Sequence, residues 1–212
     1  MKLLYKEFAL AAHPTLYLFL VLGCLVIVPS YPYTVILFFG CLAPYLTFLF
    51  SRETNDTWYT ALLPVGKYGS VHAKCLLIVF VQVGQLLFSI PFALLRTALQ
   101  IPPNPAGIEA NVAWYGFGLI LYAVFNLIFF PTYYKTGYRA GKAFVLALIP
   151  FVPLMLLVET FGHIPVLSWL DSTVPSDLLL QFPVLLFGIL CYIGITLLSC
   201  RIACTRFAKV DL

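Results

Sequence analysis

The segment "SRETNDTWYTALLPVGKYGSVHAKCL", Ser51 to Leu76, decides how this chain is organised, because it is a polar island between two apolar runs. The run before it, Pro14 to Phe50, has 37 residues and no Asp, Glu, Lys or Arg. The run after it, Cys75 to Leu95, is also uncharged. Because about 20 apolar residues in a helix cross the hydrocarbon layer of a membrane, this alternation predicts membrane-spanning helices joined by a polar connection.

The composition of the whole chain agrees with that interpretation. The 212 residues are 62% hydrophobic and 9% charged, whereas soluble domains are about 45–50% apolar and about 25% charged. We therefore predict an all-α membrane protein, a single transmembrane domain over residues 1–212 with no room for a second, soluble domain. Six predicted spans cover about residues 14–28, 34–50, 71–99, 112–130, 143–158 and 178–199.

A separate short helix is predicted before the first span. Between Met1 and Ala12, Lys2 and Lys6 share one helical face, and Leu4 and Phe8 share another. This spacing is typical of an amphipathic helix that lies in the membrane interface.

The distribution of basic residues predicts the orientation, because loops rich in Lys and Arg stay in the cytoplasm. With six spans, one side of the membrane holds eleven of the twelve Lys and Arg residues, and the other side holds only Arg96. We therefore expect both termini and the polar island to be cytoplasmic.

Motifs that would let the chain capture energy or break bonds are missing from the sequence. It has no phosphate-binding loop and no HExxH zinc motif. No Asp, Glu, Lys or Arg lies at the centre of a predicted span, where an ion-driven transporter usually has one. Arg96 and Glu159 lie near the outer ends of the third and fifth spans, where they either form an ion pair or extend separately to the lipid headgroups. We therefore predict no catalytic residue and no metal site, and an intramembrane enzyme is disfavoured.

The polar island itself is predicted to contain a short helix over residues 54–63. Thr54, Asn55 and Asp56 are good N-cap residues, and Pro64 ends the helix. Apolar pairs at helical spacing are Trp58 with Leu62 and Tyr59 with Leu63. Such a helix either fits a groove on a partner protein or rests on lipid. The acidic residues in and beside it disfavour lipid, because lipid-resting helices are usually richer in Lys and Arg.

The order of residues in the island resembles a known family signature. It runs from Glu53 through Asn-Asp, an aromatic pair, Leu-Leu-Pro-Val and a basic residue at 67 to Val-His-Ala-Lys-Cys-Leu at 71–76. It resembles the coupling region of type-2 ABC transporter permeases, in a small six-span branch with the permeases of bacterial exporters of amphipathic peptides, including phenol-soluble modulins. Gly66 departs from the pattern, which frequently has Ser there.

This resemblance implies a permease subunit of an ATP-driven exporter in the bacterial plasma membrane. It implies a second copy of the chain and a separate ABC ATPase subunit that holds ATP and Mg, with no cofactor in this chain. The implied cargo is amphipathic or lipid-like and most often a peptide; the other partners are membrane lipids, with no nucleic acid. The residues implied to contact or orient toward the ATPase are Arg52, Glu53, Asp56, Trp58, Tyr59, Leu62, Leu63, Pro64 and Lys67. The alternative is a non-transporting membrane scaffold or a channel-like subunit.

The outer segment 159–178 is the last feature that the resemblance interprets. In the family, the corresponding segment forms half-helices that enter the outer leaflet and cap the exit. The sequence alone equally fits an interfacial loop anchored by Trp169.

Overall fold

The computed structural model describes residues 2–61, 66–136 and 139–209. All regular elements of these residues are helical. Nine α-helices are α1 Lys2–Lys6, α2 Thr15–Val21, α3 Thr34–Glu53, α4 Asp56–Ala61, α5 Lys67–Ala98, α6 Val112–Lys135, α7 Ala140–Thr160, α8 Ser168–Asp171 and α9 Pro175–Ala208. Other helical turns extend some of these helices. A wider π-helical turn lies at Glu7–Ala11, and tighter 3₁₀ turns lie at Leu22–Ile27, Phe161–His163 and Pro165–Leu167.

Five of the helices are long and apolar enough to cross a membrane: α3, α5, α6, α7 and α9. The prediction of an all-helical, multi-pass membrane protein is therefore confirmed. The predicted first span corresponds to a shorter apolar helix, Thr15–Ile27. At about 1.5 Å per α-helical residue and about 2 Å per 3₁₀ residue, it is about 22 Å long, less than the hydrocarbon thickness of about 30 Å. A sixth span therefore stays a prediction.

Several helices extend beyond the predicted spans at their polar ends. Helix α5 begins at Lys67 rather than near residue 71, and α9 runs from Pro175 to Ala208 rather than from 178 to 199. Helix α6 begins where Asn111 caps it, since the Asn111 side chain accepts a hydrogen bond from the Trp114 amide at 3.1 Å.

The core lies between α3, α5, α6, α7 and α9, and the most extensive helix contact joins α6 to α9. Small residues allow this close approach. A Cβ atom added to Gly188 of α9 would lie 2.9 Å from the Cα atom of Gly116 in α6. Glycine pairs of this kind let helix backbones approach each other in membranes.

Candidate functional site

The turn that leads from the end of α3 into the polar island is tight. Asn55 adopts φ 53° between α3 and α4, in the left-handed region that Asn tolerates better than most residues. The Thr54 hydroxyl donates to the Phe50 carbonyl at 2.9 Å and closes the end of α3. The two residues direct the following helix, α4, back against the base of the bundle.

At this turn, side chains from four elements form what we call the charge cluster. Its centre is the ammonium group of Lys74, whose side chain is 2% exposed. The Nζ atom of Lys74 lies 2.7 Å from Asp56 Oδ2 and 3.1 Å from Glu7 Oε2, and it donates to Ser51 Oγ at 2.8 Å. These three contacts use all three donors of a lysine ammonium group.

A second lysine completes the charge cluster. Lys6 pairs with Asp56, and its Nζ atom lies 3.1 Å from Glu7 Oε1. It also donates to the Thr60 hydroxyl at 2.7 Å. The members of the charge cluster are Lys6, Glu7, Ser51, Asp56, Thr60 and Lys74.

The charge cluster balances two lysines against two carboxylates, so that its buried charges are compensated. Burial alone would raise the pKa of Asp56, but the nearby charge of Lys74 and the hydrogen bonds from Lys6 and Lys74 outweigh it and hold that pKa below its usual value. Asp56 is therefore ionised throughout the physiological pH range.

The charge cluster joins elements that are distant in sequence. Asp56 and Thr60 belong to α4, Ser51 to the last turn of α3, Lys74 to α5, and the remaining two residues to the N-terminal helical segment. A buried ion pair is strongly destabilised when one partner is removed. A displacement of α4 is therefore resisted unless the base of α5 moves with it.

The residues predicted to meet an ATPase separate into two groups in the structure. Asp56 is buried and turned inward, whereas Arg52, Glu53 and Tyr59 are exposed, Tyr59 by 61%. Trp58 lies in α4 and Lys67 at the start of α5. The predicted contacts at Leu62, Leu63 and Pro64 fall outside the residues that the structure describes.

Sequence reasoning missed Glu7, Lys6 and Lys74 as members of this site. It assigned the first two to an interfacial helix, and it used the third only in the orientation and in the family signature, without a partner. One signal was present, because Lys74 directly precedes a long uncharged run, and an ionisable side chain that faces the interior of a helix bundle usually has a partner.

Helix α5 carries further buried polar groups deeper in the bundle. The amides of Gln82 and Asn126 exchange two hydrogen bonds of 3.0 and 2.9 Å, and the Tyr192 hydroxyl donates to Gln82 Oε1 at 2.9 Å. The Gln85 amide donates to the carbonyls of Phe19 and Ile36. These uncharged contacts join α5 to α6, α9 and the first two apolar segments, so movement of α5 affects the whole bundle.

At the opposite end of α5, Arg96 forms an ion pair with an acid other than Glu159. Its Nη2 atom lies 3.2 Å from Glu109 Oε1 and also donates to the Pro102 carbonyl. Glu159, the candidate partner in the first of the two alternatives, instead accepts hydrogen bonds from the amides of Thr34 at 3.1 Å and Ile108 at 3.2 Å. Arg96 pairs with Glu109 rather than with Glu159, because the loop after α5 folds back and brings the Glu109 carboxylate near.

The outer segment 159–178 packs on the loop that precedes α6. The Glu109 amide donates to Asp171 Oδ1 at 2.7 Å, and the Asn111 side-chain amide donates to the carbonyls of Leu170 and Ser172. Burial raises the pKa of Asp171; the amide hydrogen bond and His163 partly offset this, while the Glu109 and Glu159 carboxylates add to it. The segment consists of short helical turns, and its position in a lipid leaflet stays a prediction.

The comparisons with known proteins point to one family. A family model described as "ABC-2 family transporter protein" matches residues 2–205. Neither the curated proteins nor the solved structures gave a match. Within residues 2–61, 66–136 and 139–209, no group of three or more His, Cys, Asp or Glu side chains is arranged to hold a metal ion.

Proposed function

The chain belongs to the ABC-2 family of transporter proteins, and on that premise we propose that it forms the export pathway of an ATP-driven pump whose ATPase is a separate chain. The family consists of membrane components of ABC transporters, so an ABC ATPase partner is implied. ATP and Mg would bind to that partner. Two copies of the chain would enclose the pathway.

The charge cluster is the observation that best supports coupling through α4. An ATPase that closes on ATP must transmit a displacement to the spans. A binding partner shifts the equilibrium between two conformational states only through contacts that differ between those states. Contact with the exposed side of α4 would displace that helix. The buried contact of Asp56 with Lys74 would then carry the displacement into α5.

The orientation that we propose places both termini and α4 in the cytoplasm of a bacterial cell. The six-span topology supports this orientation, because it places eleven of the twelve Lys and Arg residues on the side that we assign to the cytoplasm. The charge cluster supports it as well, because it gathers the N-terminal helical segment and α4 at one end of α5.

This topology can be tested by chemical labelling of single introduced cysteines in a background without the native ones. Pro105→Cys and Val166→Cys lie in exposed outer segments, and Tyr5→Cys is the control near the N-terminus. An impermeant maleimide added outside should label the first two only. Labelling of Tyr5→Cys from outside would contradict the orientation.

We propose an amphipathic or hydrophobic cargo, and the sequence resemblance favours a peptide. The predicted spans contain no central Asp, Glu, Lys or Arg, and the buried polar groups Gln82, Gln85 and Asn126 are already bonded to protein. An interior without charge suits a molecule that presents an apolar face.

The decisive experiment removes aromatic contact from α4. Loss of an interface anchor commonly costs about 2 kcal/mol or more, a roughly thirty-fold loss of affinity. Trp58→Ala combined with Leu62→Ala, and separately Tyr59→Ala, should release the co-expressed ABC ATPase or abolish its stimulation by an amphipathic helical peptide. Tyr68→Ala is the matched control, because this exposed tyrosine lies outside residues 54–63.

The outcome distinguishes the exporter from its alternatives. Full ATPase copurification and full peptide stimulation in both α4 variants would contradict docking through α4 and favour a helix that rests on lipid. A chain that never copurifies with an ABC ATPase would favour a scaffold or a channel-like subunit.

A further inference from the structure

An open groove runs along the outer half of the bundle between α5 and α9. It encloses about 740 Å³, within the range of about 300–1,000 Å³ that is common for small-molecule sites. One wall is formed by α5, the other by α9, and the floor by Tyr115 and Leu119 of α6. All three helices are of membrane-spanning length, so the open side of the groove faces the hydrocarbon of the bilayer.

The surface of this groove is divided into a long apolar part and a polar end. The wall of α5 presents Val83, Ile90 and Leu94 along its length, and polar side chains at the outer end include Thr97 and Thr173. At about 1.5 Å per residue, Thr97 lies about 20 Å along the helix from Val83. This exceeds the half-thickness of about 15 Å that one leaflet contributes to the hydrocarbon core. The groove is therefore long enough to hold one lipid acyl chain, with its polar end toward the headgroup.

The polar groups in the deeper walls are already occupied. The Tyr115 hydroxyl lies 3.0 Å from Ser89 Oγ, and the Tyr192 hydroxyl donates to Gln82. An extended peptide backbone in this groove would leave N–H and C=O groups without partners, which costs several kcal/mol for each group inside a membrane. A hydrocarbon chain has no such groups, and it is the most abundant apolar species at the open side.

The charges near the outer end discriminate between lipid headgroups. The described outer segments carry the carboxylates of Glu109, Asp171 and Asp177, whereas Arg96 is buried against the first of these. An anionic headgroup would be repelled by this excess of negative charge.

We propose that the groove between α5 and α9 is a phospholipid site, occupied by one acyl chain of a zwitterionic phospholipid. The chain lies between the helices and its headgroup lies near Thr97 and Thr173. This site is distinct from the α4 surface, since no residue of α4 lines the groove.

Two neighbouring residues of α9 provide a matched test. Ile189 lines the groove, whereas Leu190 is 62% exposed and does not. In Ile189→Trp the indole displaces the acyl chain from the groove, and in Leu190→Trp it enters the surrounding lipid. If the indole displaces about two methylene groups of the acyl chain from the groove, the lost burial predicts a roughly ten-fold loss of lipid affinity.

The measurement is native mass spectrometry of the purified full chain, titrated separately with phosphatidylcholine and phosphatidylglycerol. We expect the natural chain and Leu190→Trp to retain phosphatidylcholine in preference to phosphatidylglycerol, and Ile189→Trp to lose it about ten-fold. Equal retention by the two variants would overturn the site. Preference for phosphatidylglycerol would overturn the headgroup assignment, and displacement of the lipid by an amphipathic helical peptide would favour a cargo site. Melting temperatures in lipid-free detergent should be equal for the two variants, which separates lost binding from lost folding.

Discussion

Lys74 and Asp56 form a buried ion pair of 2.7 Å between α5 and α4. The pair is 18 residues apart in the sequence and lies where a polar connection meets the base of a long apolar helix. Both side chains are at least nine-tenths buried, so solvent screens them less than it screens a surface pair. Their contact is the most direct physical link between α4 and the bundle.

Removing the carboxylate of this pair should destabilise the fold strongly. Asp56→Ala leaves Lys74 with one carboxylate fewer in a buried site, and breaking a buried pair typically costs about 3–5 kcal/mol. If Asp56 were only an N-cap, the cost would be about 1 kcal/mol. Thermal or denaturant unfolding in detergent measures the change in the free energy of unfolding and distinguishes the two values. Glu53→Ala removes an exposed acid at the end of α3 and should change stability by less than about 0.5 kcal/mol. Equal effects of the two substitutions would contradict the role of the charge cluster.

If the proposed function holds, breaking the pair from the other side should uncouple ATP hydrolysis from the membrane helices without releasing the ATPase. Lys74 is buried and does not belong to the exposed side of α4, so Lys74→Met should leave ATPase copurification intact. It should reduce peptide-stimulated ATP turnover, because α4 then moves without α5. Tyr59→Ala should do the opposite and reduce copurification first. Loss of ATPase binding in Lys74→Met, with the chain still folded, would refute a transmitting role.

The outer end of the molecule should respond to pH through Asp171. Its pKa is raised in the folded chain, mainly by burial, so folding favours the protonated form. Its stabilising contribution is therefore complete below the unfolded pKa of about 3.9 and is lost as the pH rises through the folded pKa. Asp171→Asn keeps an oxygen that can accept from the Glu109 amide. We expect this variant to melt slightly above the natural chain at pH 7, with the gap closing near pH 3.

The control for this pH effect is another acid of the outer side. Asp177→Asn removes the same charge from the first turn of α9. A change in melting temperature that is equal for Asp171→Asn and Asp177→Asn at pH 7 would indicate a general charge effect. The assignment to the buried carboxyl of Asp171 would then fail.

Sequence patterns predicted the helices well and the contacts between them poorly. Uncharged runs of helical length placed five membrane-length helices, because apolar length is a local property of the sequence. The partner of Arg96 was missed because it depends on how the loop before α6 folds back to bring Glu109 near. Lys74 was missed for the same reason, since its partners Glu7 and Asp56 come from two other segments.

The contact between α6 and α9 was also invisible to the sequence patterns. Gly116 and Gly188 belong to no common sequence motif, because they lie on two different helices, α6 and α9, that approach each other closely. The only GxxxG pattern, Gly137 with Gly141, encloses Arg139 in a basic loop. A Cβ at Gly141 would meet nothing within 4 Å, so this glycine makes no close approach to another helix among the residues that the structure describes.

This close approach supports the final prediction, a comparison of two glycines on α9. Gly188→Ala would place a Cβ atom 2.9 Å from the Cα atom of Gly116 and closer still to its carbonyl oxygen, nearer than real Cβ contacts, so α6 and α9 must separate. Overpacking of this kind costs about 1–3 kcal/mol, and here it acts on the most extensive helix contact of the bundle. Gly194→Ala is the matched control, because a Cβ there meets nothing within 4 Å, and replacing a helical glycine by alanine gains up to about 1 kcal/mol. We therefore expect opposite shifts of the melting temperature in detergent, downward for Gly188→Ala and unchanged or upward for Gly194→Ala. If Gly188→Ala melts at or above the temperature of Gly194→Ala, the backbone contact between α6 and α9 does not exist in the folded chain.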